Sequence, residues 1–457
     1  MTDLRRLPFP EQIGAIDAAL ARGGGGELLR ELAGFRDHQP LAHAVARLVR
    51  GGLDDEAARA IAELVLGIPD AGLRRVLRAL DELGRPPRAL AAALAAGLDR
   101  LPVARIAALS LVDRWLKNAA PELRAGAVAR ALATCRELVL AGRAGEIEDA
   151  VLVRVPGADH AELERLAGVG AEAWRARLGR FAGAVIDALE AQPKSLSQAS
   201  AEELLARRVY TDPGHFLVEL LQNADDAGAR RFAVVVEDDR VTVEHDGAPF
   251  DARDVVGVLS IGQTTKSVEQ IGFFGVGFKS VYEICERPQV YSGAFAFEIA
   301  DVSIPRPLVA PALGDRTLLV LPLRDPADPE RHPDRLYERM QSLPAEVLLT
   351  LNRVERIEAE RPGRGRRSIS RDASEPGRVL LIEDGRSRAY AAVRGSARYP
   401  GRREAHRAES TAVLVAVAID SEGRAEPVAG PTIYNHLPTG ERSGLRFLVH
   451  ARFDVPL

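Results

Sequence analysis

Apolar residues recur every three or four positions through the first 195 residues and then switch to alternation. "AGLRRVLRALDELG" (71–84) and "AEAWRARLGRFAGAVIDALEAQ" (171–192) gather theirs on one helical face, and the Gly and Pro signals "GIPD", "GRPP" and "RLPV" separate such segments. The pattern predicts an all-helical domain over 1–195, and without a fixed period it is not read as a solenoid. "EAQPKSLSQAS" (190–200) has the composition of a linker. Beyond it, "RFAVVVEDD" (231–239) and "RVTVEHD" (240–246) read as strands with a hairpin turn at "DDR". Further strands are expected at "PQVYSG" (288–293), "AFAFEIA" (294–300) and "TLLVLPLR" (317–324). A Pro-rich stretch (326–333) opens a third region, 326–457, with a helix expected near 334–350 and strands later, while 361–407 reads as loop-like. The class expected is α+β: an N-terminal helical domain, an α/β sandwich over 196–325, then a smaller α/β middle region.

One helical segment departs from this apolar logic. "ELLQNADDAG" (219–228) sets Glu219, Asn223 and Asp226 at intervals of four and three, within about 60° of one another around a helix axis. An acid, an amide and a second acid on one face call for a polar occupant. Three further polar segments follow. "HDGAPF" (245–250) ends a strand in an Asp-Gly turn, and "SIGQTTKS" (260–267) offers hydroxyls and Lys266. "IGFFGVGFKSVYEIC" (271–285) sets Gly272, Gly275 and Gly277 just before an apolar helical pattern. Glycines let backbone come close to a ligand, and a helix N-terminus presents unpaired N–H groups to an anion.

Composition narrows the picture only a little. The 457 residues are 46% hydrophobic, enough for more than one core, and a formal charge of −4 gives no global sign of a nucleic-acid or membrane partner. Cys135 and Cys285 are too few for a disulfide framework or a zinc site. "MTDLRRLPFPEQ" has no apolar signal segment and "ALAAALAAGL" (89–98) is too short for a membrane span, so the expected compartment is the cytoplasm. Arg is used in place of Lys almost throughout; Lys117, Lys194, Lys266 and Lys279 are the exceptions.

The boxes "ELLQNADDA", "DGAPF" and "IGFFGVGFKSVY", in this order, resemble the nucleotide-binding domain of the GHKL (Bergerat-fold) ATPases, and most closely its sacsin-type, chaperone-like branch. The likeness covers about 200 to 325 and extends through "LPAEVLLTLNRVERIE" (343–358) and "LPTGERSGLRFLVHARFD" (437–454), while 1–195 carries none of it. The resemblance implies a GHKL sandwich at 196–325, a transducer-like region after it, and ATP with Mg²⁺ as ligands. It implies Asn223 as the metal ligand and Glu219 as the general base. Asp246 would accept the adenine amino group, supported by Asp226, with Gly247 admitting the base and Thr317 binding adenine through water. The amides of Gly272, Gly275, Val276, Gly277 and Phe278 would cradle the phosphates, and Lys266 would close over them from a lid at 260–274. Lys279 departs from the sacsin-type pattern, where Asn is usual, and is expected to face solvent. "DGAPF" departs from the chaperone form D-x-G-x-G, and His245 is expected as a structural or pocket-edge residue.

The family also places an arginine shortly after the strand resembling "LVHARFDVPL", reaching the γ-phosphate. That position falls past Leu457, so the protein is expected to continue and these residues to hydrolyse ATP slowly, Arg452 lying within the strand pattern. The function expected is Mg-dependent ATP binding and hydrolysis driving a conformational cycle, with a protein client and an ATP-dependent homodimer as partners and no membrane. The alternatives are a nucleic-acid-acting GHKL ATPase of the MutL or defence type, and a non-hydrolysing ATP-binding module. Thirteen Arg against five acids in 361–407 allow nucleic acid, yet only Tyr390 and Tyr399 interleave, so a solvated basic loop is the preferred reading. Histidine-kinase chemistry is disfavoured, since the one His followed by an acid, His245, lies in a strand pattern.

Overall fold

The computed structural model of the protein describes residues 4–22, 25–83, 88–98, 101–191, 215–259, 277–309, 316–398, 410–428, 432–435 and 437–451. The class is α+β, with an N-terminal helical region and a large mixed sheet. Two compact units separate: Met1–Ala191 with Asp251–Val256, and Gln192–Phe250 with Gly257–Leu457.

In the first unit the helices form where the apolar periodicity places them. Asp70–Asp81 buries Leu73, Val76, Leu77 and Leu80, and Ala171–Glu190 buries Trp174, Leu178, Phe181, Val185 and Leu189. Asp54 starts the Asp55–Gly67 helix by accepting the Ala57 N–H at 2.7 Å, which satisfies one orphan donor of the first turn. Asp251–Val256 fall in this unit although their sequence lies inside the predicted sandwich. Arg253 explains it: its guanidinium bonds Asp251 and, at 3.2 Å, Asp113 of the Ile106–Ala119 helix. A long-range ion pair of this kind leaves no local pattern.

The second unit is built on one sheet. Its strands are β1 (Arg231–Val236), β2 (Arg240–His245), β3 (Gln289–Ser292), β4 (Phe295–Ala300), β5 (Ile304–Pro307), β6 (Thr317–Pro322) and β7 (Arg356–Arg361). They continue as β8 (Gly365–Asp372), β9 (Arg378–Glu383), β10 (Arg386–Arg398), β11 (Ser410–Ile419), β12 (Ala425–Glu426), β13 (Thr432–Asn435), β14 (Leu437–Arg442) and β15 (Leu448–Ala451). The spatial order is β14-β13-β15-β11-β10-β9-β8-β7-β1-β2-β6-β3-β4-β5, with β12 beside β11. The sheet does not break near 325: β7 runs parallel to β1, from Arg231 opposite Arg356 to Val235 opposite Glu360.

Strict alternation sets the buried face. Phe232, Val234 and Val236 of β1, Val241, Val243 and His245 of β2, and Thr317, Leu319 and Leu321 of β6 all point inward. The helices His215–Asp226 and Pro333–Ser342 cover this face, with Leu217, Leu221, Phe232, Met340 and Leu343 lining a crevice between them. The single helix expected near 334–350 is two, Pro333–Ser342 and Val347–Thr350. Pro344 explains the break, because it pushes the preceding Leu343 into an extended conformation, ψ 119°.

The loop expected over 361–407 is instead strand through most of its described length. β7, β8, β9 and β10 form an antiparallel meander, turned at Gly363, Gly377 and the Asp384-Gly385 pair, all at positive φ. Five of its described arginines are engaged with carboxylates or carbonyls of the unit. Arg361 bonds Asp334, Asp238 at 3.0 Å and the Val236 carbonyl at 3.2 Å. Arg366 holds Glu358, while Arg367 holds Glu383 and the Met340 carbonyl. Arg371 donates to the Leu348 and Leu351 carbonyls and Arg394 to that of Leu349, satisfying the C-terminal end of the Val347–Thr350 helix. These five arginines are therefore mortar between strand and helix rather than part of a free patch.

This makes a prediction. Arg361→Ala should lower unfolding stability by about 1–3 kcal/mol, because it leaves the buried Val236 carbonyl without this donor and removes one of the two arginines on the half-buried Asp334. The exposed Arg386 or Arg398 changed to Ala should stay within about 0.5 kcal/mol. Urea titration of the three variants checks it, and equal effects would contradict a structural role for Arg361.

Candidate functional site

The His215–Asp226 helix buries Phe216, Leu217, Leu220, Leu221 and Ala224 and leaves Glu219, Asn223 and Asp226 half-buried. The expected polar stripe is thus real helix. At its C-terminus Gly228, at φ +79°, sends its N–H to the Asp225 carbonyl, and the Ala229 N–H returns to Ala224 at 2.9 Å. This is a Schellman cap, and it needs glycine for its left-handed residue. The chain leaves it directly into β1.

Two aspartates hold this corner from opposite sides. Asp246 Oδ1 accepts the N–H groups of Arg230 and Arg231, each at 2.8 Å. Asp225, 2% exposed, accepts the amides of Asn352 at 2.9 Å, Arg353 at 2.7 Å and Val354 at 2.9 Å. The next two amides, Glu355 and Arg356, then donate to the Arg230 carbonyl at 2.8 and 3.0 Å and lead into β7. Gly247 lies against the same corner: a Cβ there would meet the Ala227 carbonyl oxygen at 2.9 Å and the Ala229 nitrogen at 3.0 Å. Ala248 N–H donates to that Ala227 carbonyl at 2.8 Å. The glycine expected to admit a base is required by the helix end that it packs on.

Beneath the 246–250 loop runs a buried polar row. His245, Thr317 and Ser292 face one another across β2, β6 and β3, in register. Ser292 Oγ lies 2.6 Å from Thr317 Oγ1 and accepts the Phe250 N–H at 2.8 Å. His245 Nδ1 accepts the Gly247 N–H at 3.2 Å, which requires a neutral ring with its proton on Nε2. Burial pushes the His245 pKa down to about 4, against the upward pull of Asp246 and Glu244. So the loop that carries Asp246 and Gly247 is seated on hydroxyls and a neutral imidazole.

The sequence-predicted residues divide by place. Glu219, Asn223 and Asp226 share the helix, Asp246 and Gly247 stand at its C-terminal corner, and Thr317 belongs to the row below. Gly277 and Phe278 open a 3-10 helix, Gly277–Glu283, that packs on the His215–Asp226 helix. Lys266, Gly272, Gly275, Val276, the 260–274 lid and Arg452 lie outside the described residues. Lys279 does not face solvent as expected: it is 2% exposed, and Nζ donates to the Val302 carbonyl at 2.5 Å beside the Tyr282 hydroxyl at 3.1 Å. Asp301 and Val302 sit at positive φ, +46° and +67°, a strained conformation for a β-branched residue, and the two donors hold that turn. Sequence reasoning missed Ser292, Asp225 and Asn352. Ser292 was findable, since it falls at the inward parity of "PQVYSG".

With the geometry in place, comparison with known proteins adds a partial likeness. No family model matches the chain. Protein NO VEIN of Arabidopsis thaliana is 29% identical over 128 residues, 26% of this chain and 5% of that protein. Sacsin of Homo sapiens is 30% identical over 105 residues, 19% of this chain and 2% of that protein. Part of this chain is similar to sacsin and to NO VEIN. The chain spans only a small fraction of either relative's length. Among solved structures, the N-terminal domain of a DNA repair protein matches with a TM-score of 0.36 and 12% identity, over 55% of this chain and 86% of that one. A likeness that weak carries no argument. No helix of the described residues is long and apolar enough to cross a membrane.

The neutral His245 generates a pH prediction. An unfolded histidine titrates near about 6.5, so as the pH falls the unfolded chain takes up this proton before the folded one. The contribution of the neutral ring is fully present above that value and is lost as the pH falls toward about 4. By pH 5 the loss reaches about 2 kcal/mol. His245→Gln should flatten this part of the pH dependence of unfolding between pH 7 and 5, measured in urea against the unaltered protein. Identical slopes would mean that the ring is not held neutral.

Proposed function

We propose that the second unit binds ATP with Mg²⁺ and hydrolyses it to drive a conformational cycle, in the manner of GHKL ATPases of the sacsin-like kind. The observation that carries this reading is convergence. Segments far apart in sequence meet at one helix: it carries the Glu219–Asn223–Asp226 stripe, the 3-10 helix at Gly277 packs on it, and the Asp246-Gly247 loop, seated on the Thr317 row, packs on its C-terminal end. The partial identity with sacsin supports the same reading.

The residues suit their proposed tasks. Asp246 gives Oδ1 to the Arg230 and Arg231 amides, which orients the carboxylate, and Oδ2 is the oxygen assigned to the adenine amino group. Thr317, its hydroxyl set by Ser292, is the group assigned to adenine through water. Mg²⁺ would arrive with phosphate oxygens and keep several waters, so that one amide oxygen, that of Asn223, is a sufficient protein ligand. When bound, Mg²⁺ supplies charge neutralisation on the phosphates. Glu219, one turn before Asn223, takes the proton of the attacking water as its oxygen bonds the terminal phosphorus and the bond to ADP breaks, leaving ADP and phosphate. A protein client and an ATP-dependent homodimer are the partners this reading implies.

A nucleic-acid-acting ATPase draws less support, since Arg361, Arg366, Arg367, Arg371 and Arg394, which suggested it, are engaged with carboxylates and carbonyls. A non-hydrolysing module differs from the proposal in one readout. Calorimetry should show that Mg·ATP binds the unaltered chain, and phosphate release should show turnover that falls at least about 100-fold in Glu219→Ala with affinity changed by less than about threefold. Binding without turnover would establish the module reading. No binding at all, or a Glu219→Ala variant as fast as the parent, would overturn the assignment.

A further inference from the structure

We propose that Asp225 is a positioning residue that sets the rotation of the His215–Asp226 helix, and through it the placement of Asn223 and Glu219; this rests on the nucleotide-binding reading above. Asp225 lies one residue before Asp226 and two after Asn223, so its side chain leaves the helix about 100° and about 200° from theirs. That direction takes it away from the polar stripe and onto the segment before β7. There it is 2% exposed and accepts three successive backbone amides, Asn352 at 2.9 Å, Arg353 at 2.7 Å and Val354 at 2.9 Å, with Asn352 Nδ2 at 3.3 Å as a fourth donor. Successive amides around one carboxylate form an anion nest, filled here by the protein's own side chain.

Positive charge reinforces the nest. Arg371 and Arg394 both feel the Asp225 carboxylate, and both donate to carbonyls of the residues just before it, Leu348 and Leu351 for Arg371 and Leu349 for Arg394. Loop 352–354 is thereby fixed on its own side before Asp225 binds it. Turning the helix about its axis would strip a buried carboxylate of its donors, which makes that rotation costly. The Schellman cap and Gly247 locate the end of the helix, and the Asp225 nest sets which way its stripe faces. Because Val354 leads into β7 and β7 pairs with β1, the same nest links the later strands of the sheet to this helix.

The test separates a positioning role from a structural one by using the metal-dependent part of binding. Calorimetry would measure a non-hydrolysable ATP analogue against the 457-residue chain, with Mg²⁺ and with EDTA, for the unaltered protein, Asn223→Ala and Asp225→Asn. The unaltered chain should bind at least about tenfold more tightly with Mg²⁺, and Asn223→Ala should lose that difference. Asp225→Asn should lose it too, while its affinity in EDTA stays within about threefold of the parent. An Asp225→Asn variant that keeps the full metal effect, or weakens equally in both conditions, overturns the proposal. An unaltered chain that binds no nucleotide, or shows no metal effect, overturns the nucleotide reading and this inference with it. If Asp225→Asn does not fold, hydrogen exchange of the unaltered chain decides. The Asn352–Val354 amides should exchange at least about fivefold more slowly with the Mg²⁺-bound analogue than with the analogue in EDTA, and equal rates overturn the proposal.

Discussion

A buried carboxylate has to be met by donors, and in the second unit the buried Asp225 meets this demand with backbone amides at a corner where the exposed Asp246 also takes backbone amides. Asp225 takes the amides of 352–354 and Asp246 those of 230 and 231. Both engage segments that flank the passage from the His215–Asp226 helix into β1. The helix end, the parallel pairing of β1 with β7 and the Asp246-Gly247 loop therefore have one shared geometry. Charged acceptors on backbone N–H groups are stronger than neutral ones, and removing Asp225 would leave three successive amides, the buried one of Val354 among them, without that partner. This is why the corner can hold a polar helical stripe in a fixed orientation while Phe216, Leu217, Leu220, Leu221 and Ala224 of the same helix are buried in apolar packing.

The polar row below works by a different principle. His245, Thr317 and Ser292 occupy inward positions that β-sheet alternation would give to apolar residues, and each is satisfied by a neighbour or by the loop above. A satisfied buried network is rigid, whereas a half-satisfied one is costly. The row thus gives the Asp246-Gly247 loop a firm seat and leaves the opposite side of the loop to the helix end. In the proposed function, that seat orients the adenine-reading carboxylate, and Lys279 supports the unit from farther off by holding the strained Asp301-Val302 turn.

Much of this arrangement was legible in the sequence wherever periodicity is local. The stripe of Glu219, Asn223 and Asp226 stands on a helix, and β1, β2, β3, β4 and β6 lie where alternation placed them. The meander of β8 to β10 was hidden because its Arg and Ser residues look like loop composition, though "EDGR" at 383–386 carries the Asp-Gly signal of a tight hairpin. Lys279 was misplaced because composition assigns lysine to solvent, while here a carbonyl inside the fold replaces water. Asp225 and the Arg253–Asp113 pair were invisible for a more basic reason. Their partners lie 127 to 129 and 140 positions away, and no local pattern encodes such a contact.

The central claim is that one corner, held by two aspartates, presents the helix stripe and the Asp246 loop to a single Mg·nucleotide. A crystal structure of the chain with Mg²⁺ and a non-hydrolysable ATP analogue tests this most directly. The account predicts the metal on Asn223, the adenine amino group on Asp246 Oδ2, and Asp225 still bound by the amides of 352–354. Nucleotide bound elsewhere, or bound here with Asp225 released from those amides, would contradict it.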